Sequence, residues 1–375
     1  MDVLSAATAT ASATAAAISA TASTLSASVA ASPALANLSD PRFVFFPLAD
    51  VWWVYALFTG LVLAVIALDL GVFHRKAHVV GMREAAAWSA VWVALAMVVN
   101  AVFWWWSEGF FESHYGLPTE AASHLADEKA LQFFGGYLME KALAVDNIFV
   151  IALVFASFAI PAQLQHRVLF WGILGAILFR AIFISLGAVL LQYHWVIVVA
   201  GIFLILTGLK MAFMGESHKD PKDNWLVKLC ARIFPVTPSL DGEKFFTRMN
   251  GVLMITPLFL ALVAVEVTDI IFAIDSVPAI YALTSEPLIV FMSNIMAILG
   301  LRAMYFLLAG TMDLFHLLKY SLAAILVFVG LKMVWLNEAF GGKFPIGFSL
   351  LIIASLLAVG VAASLMVRKK PDASG

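Results

Sequence analysis

The chain reads as an all-α, polytopic membrane protein of about nine transmembrane helices with an inverted three-helix repeat. Three observations predict this: an apolar composition, a regular series of long apolar runs, and one acidic word that occurs twice. Of 375 residues, 63% are hydrophobic and 12% are charged, whereas soluble domains carry about 25% charged residues. A spanning helix needs roughly 20 mostly apolar residues. Nine stretches qualify: 51–70, 85–106, 130–157, 168–191, 195–214, 252–281, 287–310, 317–336 and 344–367.

Residues 1–40 are almost all Ala, Ser and Thr, without Lys or Arg. They lack the basic start of a signal peptide and the arginines of a transit peptide, and read as a disordered tail, with a cleavable targeting segment as the alternative. The membrane domain is expected over 48–367. Its first run ends at Asp69, and its second ends in Trp104, Trp105 and Trp106, an aromatic anchor. An acidic loop follows at 107–128, with Glu108, Glu112, Glu120, Asp127 and Glu128. Basic residues gather elsewhere. They are Arg75, Lys76 and Arg83; then Lys219, Lys222, Lys228, Arg232, Lys244 and Arg248 in the 215–250 loop; then Arg368, Lys369 and Lys370 in the 368–375 tail. With nine spans all three groups fall on one side. The positive-inside rule then puts the N-terminus outside and the C-terminus in the cytoplasm, as expected for a plasma (inner) membrane protein. Trp225, Leu226, Leu229, Cys230 and Ile233 form an apolar stripe at helical spacing, suited to the membrane interface or to a packed loop helix.

The acidic word is Glu140-Lys-Ala-Leu-Ala-Val-Asp146-Asn147, and it returns as Asp269-Ile-Ile-Phe-Ala-Ile-Asp275-Ser276, 129 residues on. Arg180 and Arg302 sit in similar contexts 122 residues apart, as do Thr207-Gly-Leu-Lys210-Met and Val329-Gly-Leu-Lys332-Met. The repeats therefore span 130–214 and 252–336, three runs each. An odd number of spans inverts the second unit, and inverted repeats place their substrate site near the midplane on interrupted helices. Gly135-Gly136, and Pro257 with Pro278, mark candidate interruptions. On a straight helix Glu140 and Asp146 differ by about 240°. Either the helix unwinds to bring them together or they do separate jobs. Glu266 and Asp269 share a face.

An acid at membrane depth costs about +2.5–3.5 kcal/mol on insertion scales. The candidate metal ligands are Asp146, Asn147, Asp269, Asp275, Ser276, Glu140, Glu266 and Asp69. All offer oxygen, which suits hard divalent cations. Arg180 and Arg302 are the charge-balancing residues, with Lys141 a further partner; a purely architectural ion-pair network is the competing reading. One cysteine excludes an intramolecular disulfide or a multi-cysteine site. The histidines read as surface residues. A formal charge of −2 gives no bias toward nucleic acid. No G-x-x-x-x-G-K, H-E-x-x-H or G-x-S-x-G occurs, so no ATP use or covalent catalysis is expected and the chain reads as a non-enzyme without a resident cofactor. The expected partners are a divalent cation and the lipid bilayer.

These words resemble the TerC family of integral membrane proteins, close to its Alx branch. The resemblance is carried by Ala67-Leu-Asp69-Leu-Gly, the first acidic word, Thr256-Pro-Leu, Glu266-Val-Thr-Asp269 with the second word, Ser293-Asn294-Ile and Leu299-Gly-Leu-Arg302-Ala. It covers about 48–367 and implies a plasma-membrane protein tied to manganese export and, by the family's history, to tellurium resistance. The first word departs from the family by carrying Ala144 for the usual serine, which removes a hydroxyl near the proposed site. The function expected is secondary, proton-coupled export of Mn²⁺ or a similar cation. The alternative is a non-transporting membrane scaffold of a metal or tellurite stress response.

Overall fold

The computed structural model describes residues 43–68, 81–213, 221–249, 251–309 and 317–366. Asp69, the 1–40 and 368–375 tails, Arg75, Lys76 and Lys219 lie outside the described residues. The long helices are α1 (Leu48–Leu68), α2 (Met82–Tyr115), α3 (Thr119–Ser157), α4 (Ala162–Leu190) and α5 (His194–Phe213). A short α6 (Trp225–Ile233) and an antiparallel hairpin, β1 (Phe246–Met249) with β2 (Val252–Ile255), lead into α7 (Pro257–Tyr281). Then come α8 (Pro287–Leu299), α9 (Leu301–Ala309), α10 (Leu318–Leu331), a π turn (Lys332–Leu336), α11 (Asn337–Ala339) and α12 (Ile346–Met366).

Among the described residues, seven helices are long and apolar enough to cross a membrane, and the pair α8–α9, bent by 43° at Gly300, makes an eighth. The ninth expected span, 130–157, is the C-terminal part of α3. There Glu140, Lys141 and Asp146 raise the charge of the stretch. Large apolar side chains such as Leu57, Leu186, Leu206 and Leu351 remain exposed on the spans. A helix supplies its own backbone hydrogen bonds, so these faces can meet lipid directly.

Two local expectations fail. The 107–128 segment is not a loop: α2 runs to Tyr115, and only 116–118 separate it from α3. Stacked rings hold this extension, with Trp106 on Phe110 at 5.2 Å and Phe110 on His114 at 4.8 Å. Gly116 ends it at φ +65, a left-handed position that glycine adopts without strain. Nor are α3 and α7 broken near the acids. Pro257 opens α7 at its first turn, where the missing N–H is no loss, and Pro278 lies in its last turns. Gly135 and Gly136 serve packing instead. A Cβ at Gly135 would come 2.7 Å from the Leu350 side chain, and one at Gly136 2.6 Å from Ser293 Oγ.

The contacts between the two three-helix units are reciprocal. The first helix of one packs on the second helix of the other in both senses, α3 on α8 and α7 on α4, while the third helices α5 and α10 pack on each other. Along α3 and α8 the contacts Lys129–Glu286, Gly136–Ser293 and Lys141–Gly300 run in parallel. Along α4 and α7 so do Gly172–Val265, Gly175–Glu266 and Gly187–Tyr281. Helices α5 and α10 are antiparallel. A Cβ at Gly330 would stand 2.5 Å from the Gly201 carbonyl oxygen, and one at Gly208 2.7 Å from that of Ala323. With the 122-residue offset, Gly208 matches Gly330 and Gly201 matches Ala323. The two contacts are thus one contact exchanged by a pseudo-two-fold axis lying across the helices, the relation an inverted repeat requires.

Because the nearest obstructing atom at Gly330 is the backbone oxygen of Gly201, it cannot turn aside. Gly330→Ala is expected to destabilise the bundle by about 1–3 kcal/mol through overpacking. Thermal unfolding in detergent checks this against Gly60→Ala, where nothing lies within 4 Å of the added methyl.

Candidate functional site

Residues seven apart on a helix differ by only about 20°, whereas six apart differ by about 240°. Glu140 and Asn147 therefore share a face of α3, and Asp269 and Ser276 share a face of α7. Asp146 and Asp275 are turned away by about 100° from their neighbours Asn147 and Ser276. The structure follows this division.

The shared faces meet at Arg180 of α4, which is 1% exposed. Its Nη1 donates to Glu140 Oε1 at 2.5 Å, Ser276 Oγ at 2.9 Å and Asn294 Oδ1 at 3.0 Å. Its Nη2 and Nε fork onto Asp269 at 3.2 and 3.5 Å. Asn294 Nδ2 returns a long bond of 3.4 Å to Glu140 Oε2. One guanidinium thus ties together α3, α7 and α8. Two carboxylates against one guanidinium leave this node with a formal charge of −1.

The other candidates are placed around it. Glu266 and Asp269 both face α4, as their spacing requires, and a Cβ at Gly175 would fall on the Glu266 carboxylate. Asp275 is turned to α5, toward Thr207 and Lys210. Among the described residues, Asn147 Oδ1, Glu266 Oε2 and Asp275 Oδ1 are buried without a hydrogen-bond partner. Asp146 is half-buried and engaged, and so is the buried Arg302 on α9. Among the described residues Lys141 makes no ion pair with the acids. Its Nζ lies against Gly300 at the α8–α9 bend and over the Tyr137 ring at 5.8 Å. Among the described residues no three His, Cys, Asp or Glu side chains converge as a metal cluster. Asp69 falls outside the described residues.

Sequence reasoning passed over two residues. Asn294 stands in the word Ser293-Asn294-Ile but not among the site candidates; the buried polar pair it forms with Ser293 in α8 was its signal. Glu286, directly before Pro287, is fully buried. It accepts from Lys129 Nζ at 2.7 Å and from the amides of Phe45 and Phe46 at 3.0 and 3.2 Å. Lys129 also lies 4.5 Å over the Phe45 ring. Beside it, Thr284 Oγ1 donates to Gln132 Oε1 at 2.6 Å, and Gln132 Nε2 donates to Glu128 at 2.8 Å. Lys343 pairs with Glu128. Burial pushes the Glu128 carboxyl up, but Lys343, Lys129 and Gln132 together hold it below the usual range.

Residues 125–372 match the model of the integral membrane protein TerC family. An uncharacterised membrane protein of Myxococcus xanthus is 48% identical over 322 residues, covering 86% of this chain and 94% of that protein. Alx of Escherichia coli K12, whose description proposes a membrane-bound redox modulator, is 44% identical over 323 residues, covering 86% of this chain and 96% of that protein. A membrane protein of Rickettsia felis is 36% identical over 321 residues, with 85% and 99% coverage. No solved structure matches.

Proposed function

The chain belongs to the TerC family of integral membrane proteins, and we propose that it is a secondary transporter exporting Mn²⁺ or a chemically similar divalent cation across the plasma membrane in exchange for protons. The observation that carries this reading is the set of orphaned oxygens on Asn147, Glu266 and Asp275. A buried acceptor without a donor costs about 1–3 kcal/mol, more when charged, and such atoms are rare in folded proteins. These three lie on the two helices that carry the repeated acids. A cation would satisfy each of them, a proton would satisfy Glu266 or Asp275, and a carboxylate can exchange one for the other.

In this arrangement Arg180 holds Glu140 and Asp269, so the acids are spread along the interface rather than gathered around a point. Ion capture would draw oxygens of both repeats together as the halves rock, the motion expected of inverted repeats. Asp146, Asn147, Asp269, Asp275 and Ser276 would hold the ion; Glu140, Glu266 and Asp69 would complete the acidic path; Arg180 and Arg302 would balance charge. The N-terminus would lie outside and the basic segments in the cytoplasm. A thiol-pair redox role is not open within one chain, because Cys230 is its single cysteine.

Selectivity tests the proposal. Mg²⁺ gives up its water reluctantly and demands near-ideal octahedral geometry, so a carboxylate path should favour Mn²⁺. An all-oxygen ligand set is not tuned for Zn²⁺. In inside-out vesicles, Mn²⁺ transport is expected to survive equimolar Mg²⁺ and to exceed Zn²⁺ transport. Equal inhibition by Mg²⁺, or faster movement of Zn²⁺, would count against the assignment.

A further inference from the structure

We propose that a second site, separate from the Arg180 node, binds a phosphate-bearing anion with Lys332 as its countercharge. The site is a cavity of about 670 Å³ at the Lys129 end of the bundle. Three lysines and one glutamate, Glu128, line it, and a second glutamate, Glu286, stands behind Lys129. Two of the lysines are matched one to one, Lys129 with Glu286 and Lys343 with Glu128. Lys332 is the third. It is 3% exposed, yet among the described residues it makes no hydrogen bond and no ion pair. The charges that act on it are Lys343, which repels it, and Glu128, which Lys343 already holds. Its stem is packed while its ammonium opens on the cavity without a protein countercharge among the described residues, and an anion there would supply one.

The lining indicates the anion's class. Asn337 Oδ1 is taken by the amide of Phe344, which leaves the Asn337 Nδ2 as a donor beside Lys332. Gln192 adds a second amide, while Leu191, Ile197 and Met333 make the remaining wall apolar. A compact charge with a few amide donors suits phosphate oxygens, and an apolar wall suits whatever the phosphate carries. The volume lies within the roughly 300–1,000 Å³ of small-molecule sites. The cavity sits where α4, α5, the α10 run and α12 end. That is the level of lipid phosphates flanking a hydrocarbon core about 30 Å thick. A lipid phosphodiester and a free phosphate ion or ester offer the same chemistry, and experiment separates them.

The test uses the purified full-length protein in neutral detergent. Its thermal midpoint is followed against short-chain phosphatidylglycerol, short-chain phosphatidylcholine, inorganic phosphate and chloride at matched ionic strength. A saturable rise with phosphatidylglycerol alone identifies a lipid headgroup. A rise with inorganic phosphate as well identifies a site that also takes the free ion. In either case Lys332→Met should weaken the apparent affinity at least tenfold, and Lys332→Arg should keep it. The proposal is overturned if neither anion gives a saturable rise, if phosphatidylcholine matches phosphatidylglycerol, or if Lys332→Met responds as the wild type does. Should that variant not fold, acylation of Lys332 in the wild type decides. The anion should slow it while leaving the exposed Lys228 unchanged, and unslowed labelling of Lys332 overturns the proposal.

Discussion

Replacing Arg180 by methionine is expected to destabilise the folded protein by about 3–5 kcal/mol, the usual result of removing one partner from a buried charge network. The reason is local. Glu140 and Asp269 side chains are 2% and 13% exposed, and Arg180 is the cation bonded to both. Without it, two carboxylates confront each other across the repeat interface. Lysine should not rescue, because a single ammonium cannot reproduce a fork onto Asp269 together with bonds to Glu140, Ser276 and Asn294. Neutralising the acids as well should rescue: the triple change Arg180→Met, Glu140→Gln and Asp269→Asn is expected to recover most of the thermal midpoint while transporting nothing. The check is the midpoint and yield of each variant in one detergent. A wild-type midpoint for Arg180→Met alone would mean that the node is not what joins α3, α7 and α8.

The second large effect is on activity with the fold preserved. Asp146→Asn and Asp275→Asn are each expected to reduce export to background while leaving folded protein in the membrane. Asparagine keeps the shape and removes the charge. At Asp275 one carboxylate oxygen already lacks a partner, so little structural support is lost. The two aspartates hold equivalent places in the repeated word, and an inverted-repeat transporter needs both halves of its path. Manganese tolerance of cells, compared at matched expression, reads the effect. Normal tolerance conferred by either variant would remove that aspartate from the path.

Much of the architecture was legible in the residues. Glu140, Asp269 and Ser276 came into view because they recur in one word, and Arg180 because its context recurs at Arg302. The reciprocal glycine contacts of α5 and α10 follow the same spacing. What was not legible depends on which faces cross. Acids counted as one constellation separate into a guanidinium-bound pair and outlying groups, because a helix that stays regular turns Asp146 and Asp275 off the shared face. The glycines before Glu140 pointed to a break, yet they are where Leu350 and Ser293 press against α3, and the bend falls at Gly300 instead. A glycine's meaning is set by its neighbour in space, which one sequence does not display. Glu286 was missed for the same reason. Its partners are Lys129, 157 residues away, and the amides of Phe45 and Phe46, more than 200 residues away.

The most direct measurement is metal flux in proteoliposomes that contain only this protein. Transport predicts Mn²⁺ movement that rises with an opposing proton gradient, carries protons the other way, and falls to the protein-free level with Asp275→Asn. A scaffold predicts no movement in either preparation. Flux at the protein-free level from folded wild-type protein would contradict the transporter assignment, and flux that persists unchanged in Asp275→Asn would contradict the place of the repeated aspartates in its path.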